Sequence, residues 1–377
     1  MEMLAGSLGF VTGYIVPFLI VLTLIVFVHE MGHYLAGRWS GIGVTAFSVG
    51  FGPELLGFTD KHGTRWKLSA IPLGGYVKFL GDDDPASTPD YDAVAALPES
   101  ERKRTFLGAA LWKRAVTVAA GPIANFILAI AIFAVMFSIY GRQIADPIVA
   151  EVRPDSAAQE AGVLPGDLLV ALDGHAVTTF DDVRRYVSVR PELPITVTVR
   201  RGGADLNLPM VPKRTEITDQ FGNKVELGLI GIVTNQETGN FRVVEYGPLE
   251  AVGQGVVQSW HIVTGTFDYL SNLVTGRMKA DQLGGPIRVA QASGQMATLG
   301  VAALLQLAAV LSVSIGLLNL MPVPVLDGGH LMFYAVEAVR GRPVGPGAQD
   351  VAFRIGMALV LMLMVFATWN DISMLLG

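Results

Sequence analysis

The chain has 377 residues, of which 51% are hydrophobic and only 16% charged, and its 27 basic and 33 acidic residues give a net charge of −6. Soluble domains carry about 25% charged residues, so this composition indicates a membrane protein and not a large soluble enzyme. The absence of cysteine excludes disulfides, thiolate zinc sites, iron–sulfur clusters and a cysteine nucleophile, so any metal must be held by His and carboxylate groups. The mild acidity disfavours a nucleic-acid partner, because phosphate binding requires a clustered basic surface.

Four apolar stretches are long enough to cross the hydrocarbon core of a membrane, which takes roughly 20 residues of helix. They are residues 11–28, 115–140, 301–320 and 351–369. Basic residues cluster between the first two stretches and again after the third. Because cytoplasmic loops are enriched in Lys and Arg, we expect both connections in the cytoplasm and both termini outside. The first and third spans then end at the same, cytoplasmic side.

The first apolar stretch ends in His29-Glu30-Met31-Gly32-His33, an H-E-x-x-H pattern. On a helix, positions i and i+4 share one face, so both imidazoles can reach one zinc ion while Glu30 acts on a neighbouring water as general base. Ionisable residues at the centre of a span cost about 2.5–3.5 kcal/mol each, so three together favour a functional site. The alternative is that the span ends at Val28 and the motif lies at the membrane interface.

The third apolar stretch is followed by a candidate for the third ligand that a catalytic zinc site needs. It ends in an irregular segment that runs from Asn319 through two prolines to Asp327-Gly-Gly-His330. Prolines break a helix, and irregular backbone at membrane depth occurs where it lines a cavity. Asp327 is the candidate ligand and His330 the alternative, since spacing does not choose between them. A purely structural role for Asp327 would be as the N-cap of a helix over residues 331–340.

The loop between the first two spans contains two segments with strand character. Residues 44–51 alternate between apolar and polar side chains, and residues 66–80 are apolar and strand-like. This pattern predicts an amphipathic β-ribbon at the membrane surface beside the site, where a strand edge could hold an extended substrate by β-augmentation. An ordinary surface hairpin is the alternative. The polar run of residues 81–101 is predicted to be a loop.

Residues 141–240 have the composition of a soluble outer domain. Helices are predicted over residues 156–161 and 181–189, and strands over residues 147–152 and 195–200, with a turn, a strand and a turn over residues 162–174. The run of residues 161–169 looks like the core signature of bacterial PDZ domains, which bind extended peptides. Peptide binding and a steric filter that binds no peptide both remain open. Residues 241–298 are predicted to form an amphipathic segment on the outer membrane surface.

Three motifs resemble the site-2 protease family of intramembrane zinc metalloproteases. They are His29-Glu30-x-x-His33, Gly121-Pro-Ile-Ala-Asn125 and Asn319-x-x-Pro-x-x-x-Leu-Asp327-Gly. In layout the chain is similar to the branch of the bacterial regulator of sigma-E protease, although it has room for a single PDZ domain and not for the tandem pair of the best-known members.

This resemblance implies one zinc ion held by His29, His33 and Asp327, with Glu30 as the catalytic acid/base and Asn319 as a contact to the substrate backbone. It also implies a location in the bacterial inner membrane, with the active site near the cytoplasmic side. The substrates it implies are single-span membrane proteins, such as anti-sigma factors already trimmed by another protease, and signal-peptide remnants.

The predicted fold is therefore a polytopic α-helical membrane protein with four transmembrane helices, a membrane-associated β-ribbon and one inserted PDZ-like α+β domain. Its parts are a first membrane core of residues 1–140, the outer domain of residues 141–240, the surface segment of residues 241–298 and a second membrane core of residues 299–377. The predicted function is an intramembrane zinc endopeptidase acting in regulated intramembrane proteolysis. Two alternatives are a membrane metal transporter, which needs further ligands along a path, and a non-catalytic PDZ scaffold, which has no use for Glu30.

Overall fold

The computed structural model describes residues 11–82, 94, 96–218, 224–234, 241–276 and 284–376. The helices are, in chain order, α1 (Val16–Trp39), α2 (Glu99–Arg102), α3 (Leu111–Tyr140), α4 (Ala157–Glu160), α5 (Phe180–Ser188), α6 (Pro248–Val274), α7 (Pro286–Thr298), α8 (Val301–Leu320), α9 (Asp327–Arg340) and α10 (Pro346–Leu376). The strands are β1 (Val44–Thr59), β2 (Arg65–Phe79), β3 (Arg142–Ala145), β4 (Glu151–Val152), β5 (Leu168–Leu172), β6 (His175–Ala176), β7 (Ile195–Arg201), β8 (Ala204–Met210), β9 (Lys213–Thr218), β10 (Lys224–Leu229), β11 (Ile232–Val233) and β12 (Phe241–Val244). The chain forms two compact units, one of residues 1–133, 255–263 and 284–377 and the other of residues 134–254 and 264–283.

Four helical segments are long and apolar enough to cross a membrane, which confirms the predicted spans: Val11–Trp39, Leu111–Tyr140, Val301–Leu320 and Pro346–Met374. The first begins with a π-helical turn, Val11–Ile15, and continues past Val28 to Trp39, so the H-E-x-x-H motif is helical. Apolar composition stops at Val28, but no residue breaks the helix before Gly41, whose φ of 78° suits the end of a helix.

Small residues bring three helices of the first unit close together. A Cβ atom at Gly32 of α1 would stand 2.3 Å from the backbone oxygen of Ala120 in α3. A Cβ atom at Gly316 of α8 would stand 3.2 Å from the Cβ of Asn125 in α3. Close approach through small residues is typical of helices in membranes, where no hydrophobic force drives helices together. As a result, α3 lies against both α1 and α8.

The predicted β-ribbon is confirmed as the antiparallel pair of β1 and β2. Phe47 and Val77 of the ribbon pack with Tyr34 of α1 in a buried cluster, so the first half of β1 is anchored against the helix that carries the motif. Beyond Phe51 the side chains of β1 are exposed, and β1 extends well past the predicted end. Most of the predicted loop of residues 81–101 lies outside the described residues, and its last part begins α2.

The second unit is built on a four-stranded antiparallel sheet in the order β6-β5-β7-β8. Leu169, Val197 and Val199 from the sheet and Val183 from α5 form its buried core. The helices predicted over residues 156–161 and 181–189 are present as α4 and α5, and the strand predicted over residues 195–200 is β7. These observations confirm an inserted α+β domain.

The strand predicted over residues 147–152 is confirmed in part, since only Glu151–Val152 forms a regular strand, β4. β4 pairs with β11, and Ile148 forms a bridge with Leu168. The residues between them make further backbone hydrogen bonds but no regular ladder. Pro147 has no backbone N–H to donate, which limits ladder formation at the start of this run. At the neck of the inserted domain, β3 pairs with β12, which sets Ala145 opposite Phe241.

The segment predicted over residues 241–298 contains the helices α6 and α7. The first turn of α7 is bound by a carboxylate from α10: Asp371 accepts hydrogen bonds from the backbone N–H groups of Gly285 (2.8 Å), Ile287 (3.0 Å) and Arg288 (3.1 Å). A buried carboxylate satisfies the free N–H groups of a helix start and complements its positive dipole end. This contact fixes α7 against α10 within the first unit.

Candidate active site

One cluster of metal-ligand atoms is present in the described part of the chain, formed by His29, His33 and Asp327. The helical spacing of i and i+4 brings the Nε2 atoms of His29 and His33 to 3.1 Å from each other. Oδ2 of Asp327 lies 3.1 Å from Nε2 of His29 and 3.6 Å from Nε2 of His33. All three side chains are more than four-fifths buried. The structure therefore brings together the three predicted ligands from opposite ends of the chain.

The chemistry of these donors fits a cation. Nδ1 of His33 lies 2.9 Å from the backbone oxygen of Thr117. A carbonyl oxygen only accepts, so Nδ1 of His33 carries the proton and Nε2 presents a lone pair. Oδ2 of Asp327 is buried and has no hydrogen-bond partner among the described residues. Lone pairs from two imidazoles and one carboxylate thus lie within 4.8 Å of one another. Two imidazoles and one carboxylate are the ligand set of a catalytic zinc site with an open fourth position.

Asp327 owes its position to a break in the helical backbone. Helix α8 ends at Leu320, and α9 begins at Asp327 itself, with Leu326 in the N-cap position and no side-chain cap bond. The N-cap interpretation of Asp327 is therefore wrong, and the helix starts four residues earlier than predicted. Between the helices, Val325 has a φ of 106°, which is strained for a β-branched residue and typical of functional sites.

The alternative ligand His330 lies one turn further along α9. It is outside the cluster of three ligand atoms, although its side chain lines the same cavity. Its ring packs against that of Phe353 in α10, with 5.2 Å between centroids.

A cavity of about 220 Å³ opens beside the cluster and is lined by Glu30 and Asn319 as well as by the three ligand residues. Glu30 therefore faces the same space as the predicted ligands. On the opposite wall, β2 approaches the helix closely, since a Cβ atom at Gly75 would lie 3.1 Å from Cγ of Glu30. Val77 of β2 lines the same cavity as Glu30. Only a glycine allows the ribbon to come this near.

Two functional positions were missed from the sequence, although both belong to the motif in the second span. A Cβ atom at Gly121 would stand 2.3 Å from Nε2 of His33 and 2.9 Å from Nε2 of His29. The glycine therefore leaves the space in which the ligand atoms meet. One turn later, Nδ2 of Asn125 lies 3.3 Å from Nδ1 of His29. The sequence feature that could have pointed to these two positions is a polar residue four positions after a glycine within an apolar span.

A buried ion pair holds α9, and with it Asp327, against α3. Nη2 of Arg114 lies 2.6 Å from a carboxylate oxygen of Glu337, and both side chains are more than four-fifths buried. The guanidinium also lies over the ring of Tyr334, 5.1 Å from its centroid. This pair is well placed to fix the angle at which α9 presents its first residue.

Comparison with known proteins agrees with this geometry. The sequence profile of peptidase family M50 matches residues 17–363. A candidate zinc metalloprotease of Agrobacterium fabrum is 72% identical over the full length of both chains. A metalloprotease of Caulobacter vibrioides is 38% identical over 95% of each chain.

A PDZ domain of an SdrC-like protein from Listeria monocytogenes matches 24% of this chain and 87% of its own, with 19% identity and a TM-score of 0.19. The profile match over most of the chain, the full-length relatives and the His-His-Asp cluster lead to one conclusion: the chain belongs to peptidase family M50 and is a zinc metalloprotease.

Proposed function

We propose that this protein is an intramembrane endopeptidase that cleaves transmembrane segments of single-span membrane proteins near the cytoplasmic side. The observation that carries the proposal is the location of the cluster. His29 and His33 lie within a helix that is long and apolar enough to cross a membrane, and their Nε2 atoms face Asp327 in a buried site. Ionisable groups in such a segment are costly and mark functional sites.

Each residue of the site has a proposed role. His29, His33 and Asp327 hold zinc, which when bound supplies Lewis acidity toward a water and toward the scissile carbonyl. Glu30 accepts a proton from the attacking water and delivers it to the leaving amine nitrogen. The reaction needs no other acid or base from the chain.

Substrate binding is proposed to use the β-ribbon. A transmembrane helix hides its carbonyl groups in internal hydrogen bonds, so cleavage requires a locally extended segment. Residues 75–77 of β2 line the cavity, and a strand edge there can pair with an extended chain by β-augmentation. Asn319, at the end of α8, lines the same cavity and is the proposed contact to the substrate backbone. An adjoining, mostly apolar cavity of about 810 Å³ offers space for large substrate side chains.

The proposed partners are trimmed anti-sigma factors and signal-peptide remnants within the bacterial inner membrane. The distribution of basic residues supports termini outside and an active site near the cytoplasm. The metal transporter is less well supported, because the described residues contain no second group of metal ligands along a path.

The inserted domain is proposed to act as a filter that excludes untrimmed substrates. Since Ala145 lies opposite Phe241, residues 146–240 can be excised and the two ends joined by an Asn-Gly turn. If the inserted domain is a filter, the variant without residues 146–240 should cut untrimmed single-span substrates that the full chain rejects. Unchanged selectivity of a folded, active variant would refute the filter.

The decisive experiment measures cleavage of a single-span reporter in membranes together with the zinc content of each purified protein. Glu30→Gln should keep zinc and lose cleavage, whereas Asp327→Asn should lose both. Glu99→Gln, at an exposed position in α2, is the matched control and should change neither. If Glu30→Gln cleaves like the wild type, Glu30 is not the base. If the wild type binds zinc but cuts none of a panel of trimmed single-span substrates, the endopeptidase proposal fails.

A further inference from the structure

A fully buried amide stands behind one of the proposed metal ligands. Asn125 of α3 has no exposed surface. Its Nδ2 lies 3.3 Å from Nδ1 of His29, on the side of the ring that faces away from the cluster. Its Oδ1 is also buried and has no hydrogen-bond partner among the described residues. A buried unsatisfied oxygen costs about 1–3 kcal/mol, so its presence beside the site needs an explanation.

The backbone at this position is held firmly. Oγ of Ser312 in α8 donates to the backbone oxygen of Asn125 at 2.8 Å. Gly316 of α8 leaves little room, since a Cβ atom there would lie 3.2 Å from Cβ of Asn125. The backbone and Cβ of Asn125 are therefore held in place. The side-chain amide can still rotate through 180° and so present either its nitrogen or its oxygen to the ring.

The tautomer of His29 decides which of the two faces the ring. A histidine that binds a metal through Nε2 uses the lone pair of that nitrogen, so the ring proton must be on Nδ1. His33 meets this requirement by donating from Nδ1 to the backbone oxygen of Thr117. Nδ1 of His29 faces the amide of Asn125. If the amide nitrogen of Asn125 pointed at the protonated Nδ1, two hydrogen-bond donors would face each other. The oxygen is the atom that can accept.

We propose that Asn125 is a positioning residue of the metal centre: with zinc bound, its amide oxygen accepts a hydrogen bond from Nδ1 of His29 and holds that imidazole in the tautomer and orientation that bind through Nε2. The two histidines then share one design, each with an acceptor from α3 behind its ring. Such partners typically change metal affinity by about 10–100-fold. The inference rests on the proposed function, because it assumes that His29 is a zinc ligand.

The test is the zinc affinity of the full-length protein in detergent, measured by competition with a chromophoric chelator. Asn125→Leu keeps a similar volume but removes the acceptor, and zinc affinity should fall about 10–100-fold. Asn125→Asp restores an acceptor and should return the affinity to within a few-fold of the wild type. The visible absorption of the cobalt-substituted protein should change in the leucine variant and resemble the wild type in the aspartate variant.

Ser314→Ala is the matched control, since it removes a hydroxyl from the same helix, α8, whose hydrogen bond goes to the backbone oxygen of Val310, and its zinc affinity should stay at the wild-type value. If Asn125→Leu does not fold, Asn125→Ala takes its place in the same comparison. Wild-type zinc affinity in the acceptor-free variant, or an equal loss in Ser314→Ala, would overturn the positioning role. A wild-type protein that binds no zinc, or an Asp327→Asn variant that keeps it, would instead refute the proposed metal site.

Discussion

Replacing Gly121 by alanine should remove zinc without unfolding the protein. The new Cβ would stand 2.3 Å from Nε2 and 2.4 Å from Cε1 of His33. Ordinary contact begins near 3.4 Å, so the imidazole must retreat by about 1 Å, whereas metal–ligand distances tolerate only about 0.2 Å. We expect zinc affinity to fall at least about 100-fold, or about 2.7 kcal/mol. The helix itself gains up to about 1 kcal/mol of propensity, so the fold is retained.

The assay combines chelator competition with thermal unfolding of the zinc-free protein. Gly253→Ala is the matched control, because a Cβ at this position in α6 meets no atom within 4 Å. It should leave zinc affinity unchanged. If Gly121→Ala binds zinc as tightly as the wild type, the ion is not held by Nε2 of His33, and the reasoning is refuted.

Three further outcomes are expected. Gly75→Val adds a side chain against the proposed base, so cleavage of the reporter should fall while zinc content, measured in parallel, stays at the wild-type value. Glu337→Leu leaves Arg114 buried without a partner and should lower the free energy of unfolding in detergent by about 3–5 kcal/mol, whereas adding Arg114→Met should recover most of the loss. In the inserted domain, Arg201 binds Asp167 and lowers the pKa of that carboxyl below its ordinary value of about 3.9. The stabilisation is therefore present above about pH 4 and lost as pH falls further, so the hydrogen-exchange protection factors of this domain, which correct for the pH dependence of the exchange chemistry itself, should fall in acid, and Asp167→Asn should weaken that dependence.

Features that depend on neighbouring residues could be predicted from the sequence. The four spans follow from length and hydropathy, and the shared face of His29 and His33 follows from helical periodicity. The start of α5 follows from a capping box of Thr179 and Asp182, which satisfies backbone groups within one turn. In each case the stabilising contact lies within a few residues of the chain, so the pattern contains the information.

Other features were invisible because they depend on packing between distant segments. The five short strands from β8 to β12 were not predicted, and of the strand predicted over residues 147–152 only Glu151–Val152 forms a regular strand. Strand formation depends on which partner the fold supplies, and propensity alone does not identify that partner. The same reason hid the role of Gly121, whose importance is the space it leaves and not a group it provides.

By itself, the sequence determined that this is a membrane protein with a helical H-E-x-x-H motif in its first span and an irregular, polar segment after its third. The family resemblance implied Asp327 as the third ligand where spacing left His330 open, but only the tertiary structure decided that the Asp327 carboxylate lies close to both imidazoles. It also decided that α3 contributes the space around the imidazoles, a carbonyl oxygen beside His33 and an amide beside His29. Spacing along one helix sets which side chains share a face. The meeting of α1, α3 and α9 at one point depends on close approach through glycines and on a break in the backbone before Asp327, and these are properties of the packed helices.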